Sequence, residues 1–148
     1  MALIEYKKAG LRYLVLETFQ AGIELTGAET KALRAKQGAM DGARIIMRGG
    51  EAFVIGLSIP PYQQGNTPAG YDPERTRKLL LKKSEIAYLA EQEAKKGLTV
   101  VPLELYNAGR YVKAKIAIVR GKNKSDKREA LKLKDAKREM DRVLRDKR

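Results

Sequence analysis

The sequence predicts a mainly β fold with some α: a small antiparallel barrel or sandwich with two or three helices and a basic C-terminal tail. Three observations predict it. Five or six short runs of branched and aromatic residues are separated by glycine-containing turns. Two segments with helix-start signals interrupt those runs. Residues 120–148 then abandon the strand pattern, and almost every second residue is charged.

In chain order, residues 11–19 are rich in aromatic and branched residues without a helix stripe, and read as a strand that bends at Ala21-Gly22 and continues through Ile23 and Leu25. Thr26 followed by Glu29 forms a capping box, with Ala28, Ala32, Leu33 and Ala35 as one small apolar face, so a short helix is expected to end near Gly38. Residues 43–47 and 51–59 flank Arg48-Gly49-Gly50 as a hairpin. Residues 60–76, rich in proline and glycine, form a long loop of the kind that is usually functional or disordered. Ser84 is expected to cap a helix with the stripe Ile86, Leu89, Ala90 and Ala94, stopped at Gly97. Residues 99–106 and 110–119 form a second hairpin around Asn107-Ala108-Gly109. In its last strand Val112, Ala114, Ile116 and Ile118 alternate with Tyr111, Lys113, Lys115 and Ala117. Such a chain resembles an OB-type barrel, a common RNA-binding scaffold, although the pattern alone does not select that topology. The division expected is a barrel domain at 1–119 and a tail at 120–148.

Composition narrows the function. The longest apolar runs, Leu79-Leu80-Leu81 and residues 116–119, are too short to cross a bilayer, and the N-terminus lacks the features of a secretory signal. Cysteine is absent, so a cytoplasmic location is expected. Histidine is absent too, which removes most zinc sites and every imidazole base. The acids of residues 1–119 are scattered, so no catalytic residue, metal site or cofactor is expected. Net charge is +13, of which residues 120–148 supply +7 (13 basic, 6 acidic) and the body +6. Both parts are basic, and the expected partner is a polyanion, RNA or DNA.

Candidate contacts follow from charge beside aromatic or apolar groups. Arg75, Arg77, Lys78, Lys82 and Lys83 fall within nine positions next to Tyr71, a grouping suited to phosphate contacts with base or sugar packing; equally, Leu79 to Leu81 could anchor the loop while the cations face water. Lys31 and Arg34, three apart on the first helix, can meet a backbone together, whereas Glu29 is accounted for by its capping box. Lys113 and Lys115 share a strand face with Tyr111, and a plain solvated face fits them as well. In the tail, Asp126 and Glu129 imitate a capping box, and Ala130, Leu133, Met140 and Leu144 draw a thin apolar stripe. That stripe is too narrow to secure a helix in water, so the tail is expected to be disordered alone and helical on a partner.

Several stretches resemble the small protein B family, the partner of transfer-messenger RNA in bacterial rescue of stalled ribosomes: LETFQAGIELTGAETKALRA (16–35), GGEAFVIG (49–56), YDPERTRKLLLKKSEI (71–86), KGLTVVPLELY (96–106) and RGKNKSDKREALKLKDAKRE (120–139). The resemblance implies an OB-type barrel that binds the tRNA-like domain of that RNA. It also implies a tail that enters the vacant mRNA path near the decoding centre of the small ribosomal subunit and folds there as a helix. Alanyl-tRNA synthetase and elongation factor Tu are implied as cooperating proteins, and no chemistry is implied for the protein itself. By position, the family's RNA-contacting acid falls on Gln20. Its RKLLL segment falls on residues 77–81, with Leu80 and Lys82 at the RNA. Its decoding-site end falls on Lys122, Lys124, Asp126, Lys127 and Arg128. Three residues depart from the pattern: Gln20 replaces a glutamate, Lys82 stands where His or Asn is common, and Ser125 stands where an aromatic or His is frequent. The alternative functions are a structural ribosomal protein whose tail threads rRNA and, disfavoured by the scattered acids, a carboxylate-dependent nuclease.

Overall fold

The computed structural model describes residues 2–62 and 70–121. The expectations for Lys122, Lys124, Ser125, Asp126, Lys127, Arg128, Leu133, Met140 and Leu144 therefore lie outside the described residues. The elements are β1 (Ala2–Glu5), α1 (Ala9–Arg12), β2 (Tyr13–Ile23), α2 (Gly27–Arg34), β3 (Arg44–Arg48), β4 (Glu51–Ile55), β5 (Arg77–Leu80), α3 (Lys83–Glu93), β6 (Leu98–Ala108) and β7 (Tyr111–Gly121).

Among the described residues, seven strands form one antiparallel sheet in the order β1-β6-β7-β2-β5-β4-β3. The sheet curls until β3 approaches β6, but no ladder joins its two edge strands. The mainly β antiparallel sheet with helices is as expected, but the OB-type barrel is not closed: the sheet is curled and open. Alternation along a strand tells which face is buried; it does not tell whether the last edge finds a partner.

Local chemistry explains most boundaries. β1 and α1 were not expected, and the strand expected from residue 11 starts at Tyr13 as β2, because Leu11 and Arg12 donate to the Lys8 carbonyl and close a helical turn. β2 then runs unbroken through Ala21-Gly22, where Gly22 and Ile23 acquire β5 as a second neighbour. α2 carries the expected capping box: Thr26 Oγ1 accepts from the Glu29 amide at 3.2 Å, and Glu29 Oε1 accepts from the Thr26 amide at 2.9 Å. Of its expected apolar face only Ala32 and Leu33 are buried, while Ala28 and Ala35 are exposed. The helix ends before Gly38. The Gln37 amide donates to Ala32 O and the Lys36 amide to Leu33 O, a Schellman closure with Lys36 in the left-handed region at φ 60°. The β3–β4 turn is Gly49-Gly50 with φ 59° and 78°, the conformation a two-residue hairpin demands.

α3 begins one residue before the expected cap. Lys82 is the N-cap, and its amide donates to the Glu85 carboxylate at 3.0 Å; lysine has no acceptor, so only this return half of a capping box forms. The second hairpin turns at Gly109-Arg110, with Gly109 at φ 63°. β7 extends through Gly121, two residues past the expected domain boundary.

The main core lies on the inner face of the curl, under α2 and α3, and includes Leu33, Ile45, Leu79, Leu89, Leu105 and Ile116. A smaller cluster of Val101, Ala117 and Val119 packs with Tyr13 and Leu103. Ala117, expected on the outer face with the lysines, is fully buried in this second cluster.

Candidate nucleic-acid interface

The loop that precedes β5 is fixed from inside. Glu29, 1% exposed on α2, accepts hydrogen bonds from Arg75 Nε at 3.0 Å, from Arg75 Nη2, and from Arg77 Nε at 2.9 Å and Nη2 at 2.6 Å. The Tyr71 hydroxyl lies 2.8 Å from Ile59 O and 3.1 Å from Glu29 Oε2. The remaining Arg77 donors reach Leu57 O, Arg75 O and Pro73 O at 2.8, 3.1 and 3.0 Å. Burial alone would push the Glu29 carboxyl up. Hydrogen bonds from Arg75, the Thr26 amide and Arg77 outweigh it, and the pKa falls from 4.5 to about 2. The carboxylate therefore stays charged opposite Arg77.

This network overturns one expected contact. Arg77 is 0% exposed and its guanidinium is saturated by protein acceptors, so it cannot reach an RNA. Glu29 is correspondingly more than a capping residue, because one carboxylate joins α2 to the loop and to β5. Arg75 also points inward to Glu29, with about a third of its side chain (34%) left exposed.

Beyond the network, β5 delivers Lys78 and Leu80 to the surface. The register places Gly22 between Leu80 on one side and Lys113 on the other, and pairs Gln20 with Lys115. Glycine suits position 22, because a Cβ on it would stand a tight 3.1 Å from the Leu80 Cβ. Leu80 thereby leans over β2 and remains 51% exposed. Gln20, Lys78, Leu80, Lys82 and Lys113 line a single groove of about 550 Å³ between the sheet and the start of α3. Lys83, Glu51 and Glu85 complete its charges, so four lysines face two glutamates. Lys78 Nζ donates to Glu51 Oε1 at 3.0 Å, and this carboxylate raises the lysine pKa.

Lys115 borders the groove through its pairing with Gln20 without lining it. Lys31 and Arg34 do not line it either. Arg34 is turned to the β6–β7 turn, donating to Arg110 O at 2.8 Å and Asn107 Oδ1 at 3.4 Å. Glu51 and Glu85 were missed as groove residues by sequence reasoning, whereas Lys83 already belonged to the basic cluster. Only the β4–β5 pairing, which sets Phe53 opposite Lys78, reveals that the glycine hairpin reaches the groove.

The groove suits a phosphate backbone: lysines for charge, the Gln20 amide as donor and acceptor, and Leu80 for apolar packing against sugar or base. Among the described residues no group of three or more acids assembles into a metal site.

The model of the family described as SmpB protein matches residues 3–146. The chain belongs to the SmpB family. It is 44% identical over 133 residues to the SsrA-binding protein of Microcystis aeruginosa, covering 90% of this chain and 86% of that one. The SsrA-binding protein of Macrococcus caseolyticus is 44% identical over 144 residues, 97% of this chain and 94% of the relative. A chain from the solved structure "tmRNA-SmpB: a journey to the center of the bacterial ribosome" superposes with a TM-score of 0.67 at 38% identity, covering 86% of this chain and 93% of that chain. Gln20, Leu80 and Lys82, the positions that the SmpB resemblance singles out, all line the groove that the fold assembles.

Proposed function

We propose that this protein is an SsrA-binding protein, which binds transfer-messenger RNA and delivers it to stalled ribosomes in trans-translation. The observation that carries the proposal is the convergence of Gln20, Lys78, Leu80, Lys82 and Lys113 on one basic groove in a chain of the SmpB family. Its relatives are named for SsrA binding, and one structural neighbour comes from a solved structure named for tmRNA-SmpB and the bacterial ribosome. The groove receives the tRNA-like domain of the RNA. The basic tail, residues 120–148, occupies the vacant mRNA path near the decoding centre. The protein acts as a binding partner and not as an enzyme, in the cytoplasm, alongside alanyl-tRNA synthetase and elongation factor Tu. No described helix is long and apolar enough to cross a membrane, which accords with that setting.

The test is reconstituted tagging of a stalled nascent chain. Adding the full chain should permit tagging by transfer-messenger RNA, and Lys82→Ala combined with Lys113→Ala should reduce it in proportion to lost RNA affinity. Tagging that proceeds equally without the protein contradicts the proposal.

A further inference from the structure

The groove does not end at Lys83. Beyond Glu51 a second groove of about 600 Å³ runs between α3 and the tip of the β3–β4 hairpin. The two share Gly50, Glu51, Lys83 and Ile86 and so form one continuous trough. The far groove has a different character. Met47, Ile86, Ala87 and Ala90 give it an apolar floor, while Arg48 and Lys83 stand on its rim. Nothing lies within 4 Å of where a Cβ on Gly49 or Gly50 would stand, so the hairpin tip bounds the groove with bare backbone. Ile86 is buried in the main core and Met47 packs against it, which fixes the floor between helix and hairpin.

Two features define the occupant. The floor asks for a flat, weakly polar surface, and the rim asks for anionic groups. Arg48 lies opposite Glu51 in the ladder, yet the Glu51 carboxylate is bonded to Lys78 at 3.0 Å. With Glu51 already matched, Arg48 and Lys83 keep their charge for a ligand. A nucleotide meets both demands, with its base or ribose on the floor and its phosphates at the rim. A purely apolar peptide would leave the two cations unused, and a bare phosphate would leave the floor wet.

We propose that the far groove is a nucleotide subsite, in which an unpaired residue of the bound RNA lies on Met47, Ile86 and Ala90 while Arg48 and Lys83 hold the flanking phosphates. The proposal rests on the reading of the first groove as the RNA interface, because the strand reaches the subsite along their shared wall.

The experiment measures binding of the tRNA-like domain of transfer-messenger RNA to the full chain by fluorescence anisotropy over a salt series. Arg48→Ala and Ala90→Glu alter only the far groove; Lys82→Ala and Lys113→Ala alter only the near one. Ala90 is exposed on α3 and glutamate is a good helix former, so that variant keeps the helix while placing an anion on the floor. Arg48→Ala should weaken binding about 5- to 10-fold and make the salt slope shallower by about 0.7–0.9, the loss of one phosphate contact. Ala90→Glu should weaken binding at least as much. If the near-groove variants lose affinity while Arg48→Ala and Ala90→Glu remain within twofold of the parent, the subsite is overturned and the proposed function stands. If all four bind like the parent, both readings fall.

Discussion

At the scale of single residues, Glu29 and Arg77 dominate the account. Removing one partner of a fully buried ion pair leaves an uncompensated charge, at a cost of about 3–5 kcal/mol. Glu29→Gln should therefore lower the urea midpoint sharply, although the substitution preserves shape. The pair also sets a pH dependence. The Glu29 pKa is lower in the folded chain, at about 2, than the ordinary 4.5. Its contribution is fully present above about pH 4.5 and is lost as pH falls through about 2, amounting to roughly 3 kcal/mol. A urea series from pH 6 to pH 2 should show that loss in the parent and not in Glu29→Gln. Little of this was legible in the sequence. The capping box could be read because its partners are three residues apart, but Glu29 and Arg77 are 48 apart and meet only through the fold. An arginine in a basic cluster looks the same in a sequence whether it faces RNA or a buried carboxylate. Ala117 poses the same difficulty, since its burial depends on Val101 and Tyr13 from other strands.

At the scale of elements, local signals were read well wherever the chemistry is local. The Gly49-Gly50 turn, the Thr26 cap and the alternation of β7 from Tyr111 to Ile116 correspond to observed features, and the alternation breaks at Ala117. The end of α2 was misplaced because Gly38 looks like a terminator, whereas Lys36 takes the left-handed position two residues earlier. A side chain there is strained by roughly 1–2 kcal/mol. Lys36→Gly should accordingly raise stability by about 0.5–1 kcal/mol, part of the relief being offset by the larger entropy of glycine in the unfolded chain. Chemical denaturation measures it, and a variant less stable than the parent would contradict the Schellman closure. The groove is likewise a product of elements: β5 supplies Lys78 and Leu80, β2 supplies Gln20 and the gap at Gly22, and β7 supplies Lys113. The basic cluster was visible as a run of residues. Its selection of Lys78 and Lys82 over Arg77 required the β2–β5–β4 pairing.

At the scale of the whole molecule, the chain combines a basic body with a more basic tail, +6 and +7. The sequence gives the mainly β class through periodicity and the SmpB family through its motifs, but the openness of the sheet depends on two edge strands, β1 and β3, that do not meet. The two charged regions should be separable. Deleting residues 125–148 is expected to leave affinity for transfer-messenger RNA within a few-fold while abolishing tagging of stalled chains; collapse of RNA affinity would instead make the tail a general phosphate clamp. If the body makes about five phosphate contacts, log K should fall with log salt at a slope of roughly −4. The most direct measurement is the affinity of the full chain for the tRNA-like domain of transfer-messenger RNA beside that for an elongator tRNA, taken across the same salt series. The account predicts tighter binding of the transfer-messenger RNA domain at every salt concentration, and equal affinity for the two RNAs would contradict it.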